Sequence, residues 1–183
     1  MEKTNRSTII LFRGHMGTGK TMFSDVISTE LRAAVLHKDD IYDAAAKYVD
    51  KHQVRNKISY EILFNVLETT INNNSDLVID YSYHRSEDMD NLRSWLSEKK
   101  VMFKSILCIC SDKKMWAQRL KSRAEIPKPN QLITDLDSLK RHHGNLVVQS
   151  LNGELVIDTA EKNRDLLIKK IIDYISSDEV VSL

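Results

Sequence analysis

The chain has 183 residues, 42% of them hydrophobic, which is enough for one globular domain with a core and too few for two ordinary domains. Its 27 Lys and Arg nearly balance 26 Asp and Glu, so the net charge of +1 argues against a general attraction to a nucleic-acid backbone or an anionic membrane. The first apolar run, residues 9–12, is much shorter than a signal-peptide core or a spanning helix. We therefore expect a cytoplasmic protein without a membrane partner.

Strand-like and helix-like segments alternate along the chain. Five short β-favouring runs are predicted as strands, at residues 8–12, 33–36, 77–80, 101–109 and 155–158. Helical spacing of apolar residues is found at 22–31, 41–49, 58–71, 89–96, 115–120 and 166–175. The alternation predicts an α/β fold, a three-layer, doubly wound, parallel five-stranded sheet, in one domain with a tail at 176–183. Ligands of such sheets bind at the carboxyl ends of the strands.

A complete phosphate-binding loop follows the first predicted strand. Its residues are Gly14, His15, Met16, Gly17, Thr18, Gly19, Lys20 and Thr21. A glycine, four residues and Gly-Lys-Thr between a strand and a helix is typical of loops that hold a nucleoside triphosphate. Backbone amides and the helix N-terminus would face the phosphates, Lys20 would neutralise them, and Thr21 would ligate Mg²⁺. The predicted cofactors are ATP and Mg²⁺, and the predicted nucleotide site extends to Met22.

Acidic residues follow two further predicted strands. Asp39 comes after the second strand, and we predict it to be a general base, or an orienting acceptor, for a hydroxyl that attacks the γ-phosphoryl group. Its neighbour Asp40 is interpreted as the N-cap of the next helix. Asp80 ends the third strand and is predicted to hold Mg²⁺ through a bound water, the alternative being a cap or a salt bridge.

Two arginines four residues apart lie on one predicted helix face. Arg119 and Arg123 precede Pro127 and Pro129, and together they suggest a short helical lid, at about residues 119–133, that closes over a triphosphate. Guanidinium groups bind phosphate oxygens in pairs and stay charged, so both arginines are predicted to be catalytic and Arg119 also to bind nucleotide. The alternative is a solvated helix face.

The cysteines and two of the histidines are interpreted as structural. Cys108 and Cys110 lie two apart on a strand-like run, without disulfide geometry, and are expected to be reduced core thiols. His142 and His143 are adjacent, so on a helix they point in different directions, and no third metal ligand is evident. We therefore interpret these two histidines as structural or as lining the acceptor site.

These motifs resemble a group of P-loop kinases over residues 8–158. The group includes the kinase domain of phage-type polynucleotide kinase, chloramphenicol phosphotransferase and the zeta-toxin kinases. The matching segments are the phosphate loop, Lys38-Asp39-Asp40, Val78-Ile79-Asp80 and Arg119-Leu120-Lys121-Ser122-Arg123.

The resemblance implies a role for each matching residue. Asp39 would be the general base, Asp80 the strand-end acid, and Arg119 and Arg123 the lid arginines. In the family the adenine is held by a loop after the last strand, which here contains Asp158 and Thr159.

One position departs from the polynucleotide kinase pattern. Those kinases carry, three residues after the base, an arginine that holds the substrate's phosphate, and this chain has Tyr42 there. Together with the near-neutral charge, Tyr42 favours a small hydroxylated molecule over a nucleic acid as acceptor. Ring faces of Tyr42, Tyr81, Tyr83 and Trp116 could contact such a molecule.

Three functions therefore stand as hypotheses. The first is an ATP- and Mg²⁺-dependent phosphotransferase acting on a hydroxyl of a small molecule. The second is a polynucleotide 5′-hydroxyl kinase. The third is an NTP-hydrolysing switch or regulatory ATP-binding protein without an acceptor.

Overall fold

Five parallel strands form the centre of the fold in the computed structural model, which describes residues 6–125 and 128–177. The strands are β1 Thr8–Arg13, β2 Ala34–His37, β3 Leu77–Asp80, β4 Met102–Ile109 and β5 Leu155–Asp158. Their order across the sheet is β2-β3-β1-β4-β5. The phosphate loop thus leaves the central strand, and the chain reverses its winding direction next to it, where ligands of doubly wound sheets bind.

Seven helices accompany the sheet in the described part of the chain. They are α1 Lys20–Leu31, α2 Lys38–Ala45, α3 His52–Asn72, α4 Ser86–Glu98, α5 Lys113–Ser122, α6 Leu136–His143 and α7 Arg164–Ser176. Within the described residues, no helix is both long and apolar enough to cross a membrane.

Apolar clusters on the two faces of the sheet hold the layers together. On one face, α3 and α4 pack against Ile9, Leu11 and Ile79. On the other, α1 and α7 pack against Ile10 and Phe12. Alternate residues of β1 thus point to opposite faces, and both faces are covered, which explains why its sequence is a continuous apolar run.

A third, smaller cluster lies beside the phosphate loop. It joins Trp116 and Leu120 of α5 to Leu139 of α6, with Cys110 at its edge. Cys108 and Cys110 are both buried and free, as expected. Met16 of the phosphate loop packs against this cluster, so α5 and α6, which we call the lid side of the molecule, lie against the loop.

The predicted strands all form, with ends that differ by at most one residue from the prediction. The parallel α/β architecture is confirmed. Helix α3 begins earlier than predicted, at His52, and α6 was not predicted at all. Of the predicted lid, residues 119–122 are helical as the end of α5, and no helix is found in its other described residues, 123–125 and 128–133. Residues 126–127 of the lid and 178–183 of the predicted tail lie outside the described residues.

Candidate active site

The phosphate loop adopts a backbone path that glycine alone suits. Gly14 has a φ of 132°, and a Cβ there would lie 2.3 Å from the carbonyl oxygen of Cys108. Gly19 is the N-cap of α1, with a φ of 88°. Because glycine has no side chain to cap the helix, the first amides of α1 remain available to an anion.

Side chains from two other elements hold the loop in place. Trp116 on α5 donates its indole N–H to the carbonyl of Met16 at 2.9 Å. The hydroxyl of Thr159, just after β5, lies 2.8 Å from the carbonyl oxygen of Thr18. Arg119 donates to both the hydroxyl and the carbonyl of Thr159, each at 2.8 Å. The structure therefore brings Arg119 to the predicted adenine loop, where its guanidinium is already bound.

A hydroxyl and a carboxylate meet at the end of the loop. Thr21 donates its hydroxyl to Asp80 Oδ2 at 2.6 Å. Lys20 lies over the loop and donates to the carbonyl of His15 at 3.1 Å. Oxygen atoms of this kind are what Mg²⁺ prefers. Thr21 and Asp80 thus fit the predicted magnesium site.

Asp80 stays ionised although it is buried. Burial alone would raise its pKa, but a hydrogen bond from His37, the charge of Lys20 and the Thr21 hydroxyl outweigh it and hold the pKa below the ordinary value. The alternative was that Asp80 only caps a helix or forms a salt bridge. Asp80 does form an ion pair with His37, whose Nδ1 lies 3.3 Å from Asp80 Oδ2.

His37 was assigned no role from the sequence. Its Nε2 lies 2.9 Å from Asp25 Oδ1, so the imidazole bridges two carboxylates. The hydrogen bond to Asp80 is the main reason that the pKa of His37 is raised, with the charges of Asp80 and Asp25 adding to it against the effect of burial. The signal in the sequence was its position, the last residue of β2, at the carboxyl edge of the sheet.

Asp39 faces an arginine across the site. Arg123 Nη2 lies 3.8 Å from Asp39 Oδ2 and also donates to Asn130 Oδ1 at 3.1 Å. Asn130 in turn binds Asp43 through its backbone N–H, at 2.9 Å, and through its side-chain amide. Arg123 is thereby held at the site by a segment that docks on α2.

Asp40 is not an N-cap, so that interpretation was wrong. Helix α2 begins at Lys38, directly after β2, with His37 as the N-cap residue, and Asp39 and Asp40 both lie in its first turn. Because no linker separates β2 from α2, the helix has already begun before Asp40, and Asp40 cannot be the residue that precedes it. Asp39 is consequently held by helix geometry at the carboxyl edge of the sheet.

The site makes Asp39 more basic than an ordinary aspartate. Its side chain is 57% exposed because it faces an open cavity. The cavity walls still desolvate the carboxylate and raise its pKa, and the charge of Lys20 opposes this while that of Asp80 reinforces it. A carboxylate with a raised pKa accepts a proton more readily.

One cavity of about 1380 Å³ joins these groups. Its lining includes the following predicted site residues: His15, Met16, Gly17, Gly19, Lys20, Thr21, Asp39, Asp80, Arg119 and Arg123. Other predicted residues lie off the cavity. Met22 packs against the cluster between α1 and α7, and Asp158 accepts the N–H groups of Ser111 and Ala160, both at 3.0 Å.

The expectation that four aromatic rings face an acceptor is corrected. Tyr81 is fully buried and Trp116 is 6% exposed, because both rings serve the packing of the fold. Tyr42 and Tyr83 line the cavity but are each only 4% exposed, so little of either ring is open to an acceptor.

All six histidines of the chain line this cavity. Three of them, His15, His84 and His143, can each place a ring nitrogen within 4.8 Å of the other two. The sequence indicated no third ligand beside His143. The fold supplies two, because it brings three distant segments together.

Comparisons with known proteins agree with this geometry. Residues 9–142 match the model of a family described as an AAA domain. No curated protein gives a match. A candidate kinase from Chloroflexus aurantiacus J-10-fl superposes with a TM-score of 0.76 at 17% identity, covering 92% of this chain and 98% of that chain.

Two further solved structures are kinases by name. The Mycobacterium tuberculosis APS kinase CysC in complex with AMPPNP and APS has a TM-score of 0.65 at 14% identity, covering 94% of this chain and 99% of that one. A sugar kinase from Janibacter sp. HTCC2649 has a TM-score of 0.60 at 12% identity, covering 93% and 94%. The chain therefore has the fold of P-loop kinases.

Proposed function

The chain belongs to the AAA domain family and has the fold of P-loop kinases, and on that basis we propose that it is an ATP- and Mg²⁺-dependent phosphotransferase acting on a small-molecule hydroxyl. The observation that carries the proposal is the position of Asp39. Its carboxylate shares one cavity with Lys20 of the phosphate loop and with Arg123 of the lid. A protein that only sensed nucleotide would not need a basic carboxylate opposite its phosphate site, and the transfer assay below separates an acceptor hydroxyl from water.

The nucleotide would bind at the loop. Backbone amides between Gly14 and Gly19 and the open first turn of α1 would hold the phosphates, with Lys20 over the β- and γ-oxygens. Thr159, clamped by Arg119, is the candidate for the wall against the base. Thr21 and Asp80 would hold Mg²⁺, which supplies charge neutralisation at the phosphate oxygens when bound.

In the proposed reaction Asp39 takes the proton of the acceptor hydroxyl as the oxygen attacks. The bond formed joins the acceptor oxygen to the γ-phosphorus, and the bond broken frees ADP. Lys20 and Arg123 stabilise the negative charge on the transferring group, an effect that is strong where the closed lid excludes water. We place the protein in the group of the polynucleotide kinases, chloramphenicol phosphotransferase and the zeta-toxin kinases, supported by the location of Asp39 and Arg123.

A small molecule is the favoured acceptor for two reasons. The segment at Asn130 docks on α2 through Asp43 and lines the cavity, so it forms a wall beside the space for the acceptor. The position that would carry a phosphate-binding arginine holds Tyr42, whose hydroxyl lies 2.7 Å from His52 Nδ1. The nearby Arg55 donates to the backbone carbonyls of Val49 and Asp50 instead of facing the cavity.

The test is a transfer assay with γ-labelled ATP and pooled nucleosides, sugars, antibiotics and short oligonucleotides. We expect label in a small-molecule pool, and none with Lys20→Ala. Transfer only to oligonucleotide ends, with steep salt dependence, would replace the proposal by a polynucleotide kinase. Hydrolysis that no acceptor stimulates, accelerated by a protein partner, would replace it by a switch. Undiminished ATP binding and turnover in Lys20→Ala would overturn the nucleotide site itself.

A further inference from the structure

Three imidazoles meet beside the phosphate loop. His15 belongs to the loop and His84 to the segment between β3 and α4, and His143 is the last residue of α6. Their ring centroids form a nearly equilateral triangle, with sides of 4.7 Å (His15 to His84), 4.7 Å (His84 to His143) and 4.9 Å (His15 to His143). Three separate parts of the fold thus converge on one point.

Four ring nitrogens of this cluster are buried and unpaired in the part of the chain that the structure describes. Both ring nitrogens of His15, Nδ1 of His84 and Nε2 of His143 are buried without a hydrogen-bond partner among the described residues. His15 is only 3% exposed. Leaving a buried polar group unpaired is unfavourable, so four such atoms in one place point to a ligand-binding site.

We propose that His15, His84 and His143 bind one transition-metal ion, with Zn²⁺ the best fit. The ring nitrogens lie within 4.8 Å of one another, a spacing that small side-chain rotations close around an ion. Tetrahedral zinc with metal–nitrogen bonds of about 2.0–2.1 Å would set the ring centroids roughly 5 Å apart, close to the observed triangle. Three protein ligands would leave a tetrahedral ion one further position, and all three residues line the cavity.

The donor set selects the kind of ion. Three imidazoles suit Zn²⁺ and other late transition metals, whereas Mg²⁺ prefers oxygen. Burial lowers the pKa of His15 to about 4, with the charges of His143 and Lys20 adding to the effect, and burial lowers that of His143 as well. A neutral imidazole offers a lone pair to a metal ion. Because it carries no charge, it attracts an anion only weakly, so the cluster favours a metal ion over an anion.

The site would join the phosphate loop to the lid side of the molecule. His143 ends α6, which packs on α5 through Leu139, Trp116 and Leu120. An ion held by His15 and His143 would fasten that helix to the loop. Its open position would offer a Lewis-acid contact to an oxygen or nitrogen atom of a cavity ligand. This inference does not depend on the proposed phosphoryl transfer.

Equilibrium dialysis of tag-free, chelator-stripped protein against Zn²⁺ tests the proposal. Excess Mg²⁺ is present to fill oxygen-rich sites, and bound metal is counted by mass spectrometry. We expect about one Zn²⁺ per chain. His84→Ala and His143→Ala should each weaken Zn²⁺ binding by more than about 100-fold. Loss of a residue that only hydrogen-bonds to a metal ligand costs up to about 100-fold, and loss of a ligand itself should cost more. Substitution of Co²⁺ should give the intense visible bands of a four-coordinate site.

The neighbouring His142 supplies a matched control, because it is exposed and lies outside the cluster. His142→Ala should bind Zn²⁺ like the unaltered protein. Binding of well under one equivalent by the unaltered protein would overturn the proposal, whatever the variants do. So would equal Zn²⁺ affinity in His84→Ala, His143→Ala and His142→Ala, provided that circular dichroism shows all three folded.

Discussion

Replacing Asp39 by Asn would separate proton acceptance from everything else in the site. The amide keeps the shape of the carboxylate but cannot take a proton, while Lys20 and Arg123 remain. Loss of a general base alone costs about 10²–10⁴ in rate, which corresponds to roughly 2.7–5.4 kcal/mol in the barrier. We expect kcat to fall within that range.

The same structure shows why this loss would not reflect unfolding. The Asp39 side chain is 57% exposed and its ion pair with Arg123 spans 3.8 Å. Pairs this exposed contribute at most about 1 kcal/mol to stability. Asp39→Asn should therefore melt within a few degrees of the unaltered protein, and should bind ATP as well or slightly better, since a negative charge near the phosphates is gone.

The assay is γ-phosphoryl transfer to the acceptor found in the screen, with ATP affinity measured in parallel. Asp40→Asn is the matched control, because Asp40 adjoins Asp39 in the first turn of α2 and lines the same cavity. It should change kcat by less than about twofold. If Asp39→Asn retained full transfer, or if Asp40→Asn lost as much, the reasoning about the base would be wrong.

A pH profile gives a second measurement of the same group. Asp39 must be ionised to accept a proton, so kcat/KM falls as pH drops through its pKa. Desolvation by the cavity walls raises that pKa, so the acidic limb should lie above the value of about 3.9 of an ordinary aspartate. A limb at or below that value would contradict the assignment.

Three further predictions concern metal binding and stability. Thr21→Ala should raise the Mg²⁺ concentration for half-maximal activity by about tenfold or more, while Thr21→Ser should not, as a Mg²⁺ titration will show. Glu154→Gln should cost about 3–5 kcal/mol in urea unfolding, because it leaves Arg13, 1% exposed and bonded to Glu154 at 2.6 Å, with an unpaired buried charge; a loss under about 1 kcal/mol would refute this. His37 has a raised pKa in the fold through Asp80, so its stabilising contribution is complete below the unfolded value of about 6.5 and is lost as pH rises through the folded value. His37→Gln should flatten that decline in unfolding free energy, and an unchanged pH profile would count against it.

Features carried by contiguous residues could be predicted from the sequence. The phosphate loop from Gly14 to Thr21 was readable because its chemistry lies mainly in the backbone. The buried strands were readable because both of their faces are covered, which demands an unbroken apolar run. Asp39 and Asp80 were placed at one edge of the sheet because parallel strands bring their carboxyl ends together.

Features that depend on contacts between distant segments could not be predicted from the sequence. Helix α6 went unpredicted because it presents few apolar residues and ends in four basic ones. The binding of Asn130 to Asp43 joins residues that no local pattern links. The meeting of His15, His84 and His143 likewise follows from the completed fold, so the sequence showed His143 with only His142 beside it.

The docking of Asn130 gives the site a common frame of reference. Asp39 and Asp43 lie one turn apart on α2, and the chain of contacts from Asp43 through Asn130 to Arg123 returns to Asp39. The base and the arginine opposite it are therefore both registered to the same short helix. A tilt of that helix would move Asp39 and Arg123 together and preserve their spacing. Movement of the lid would therefore disturb the alignment of the two groups less than if each were held by a separate element.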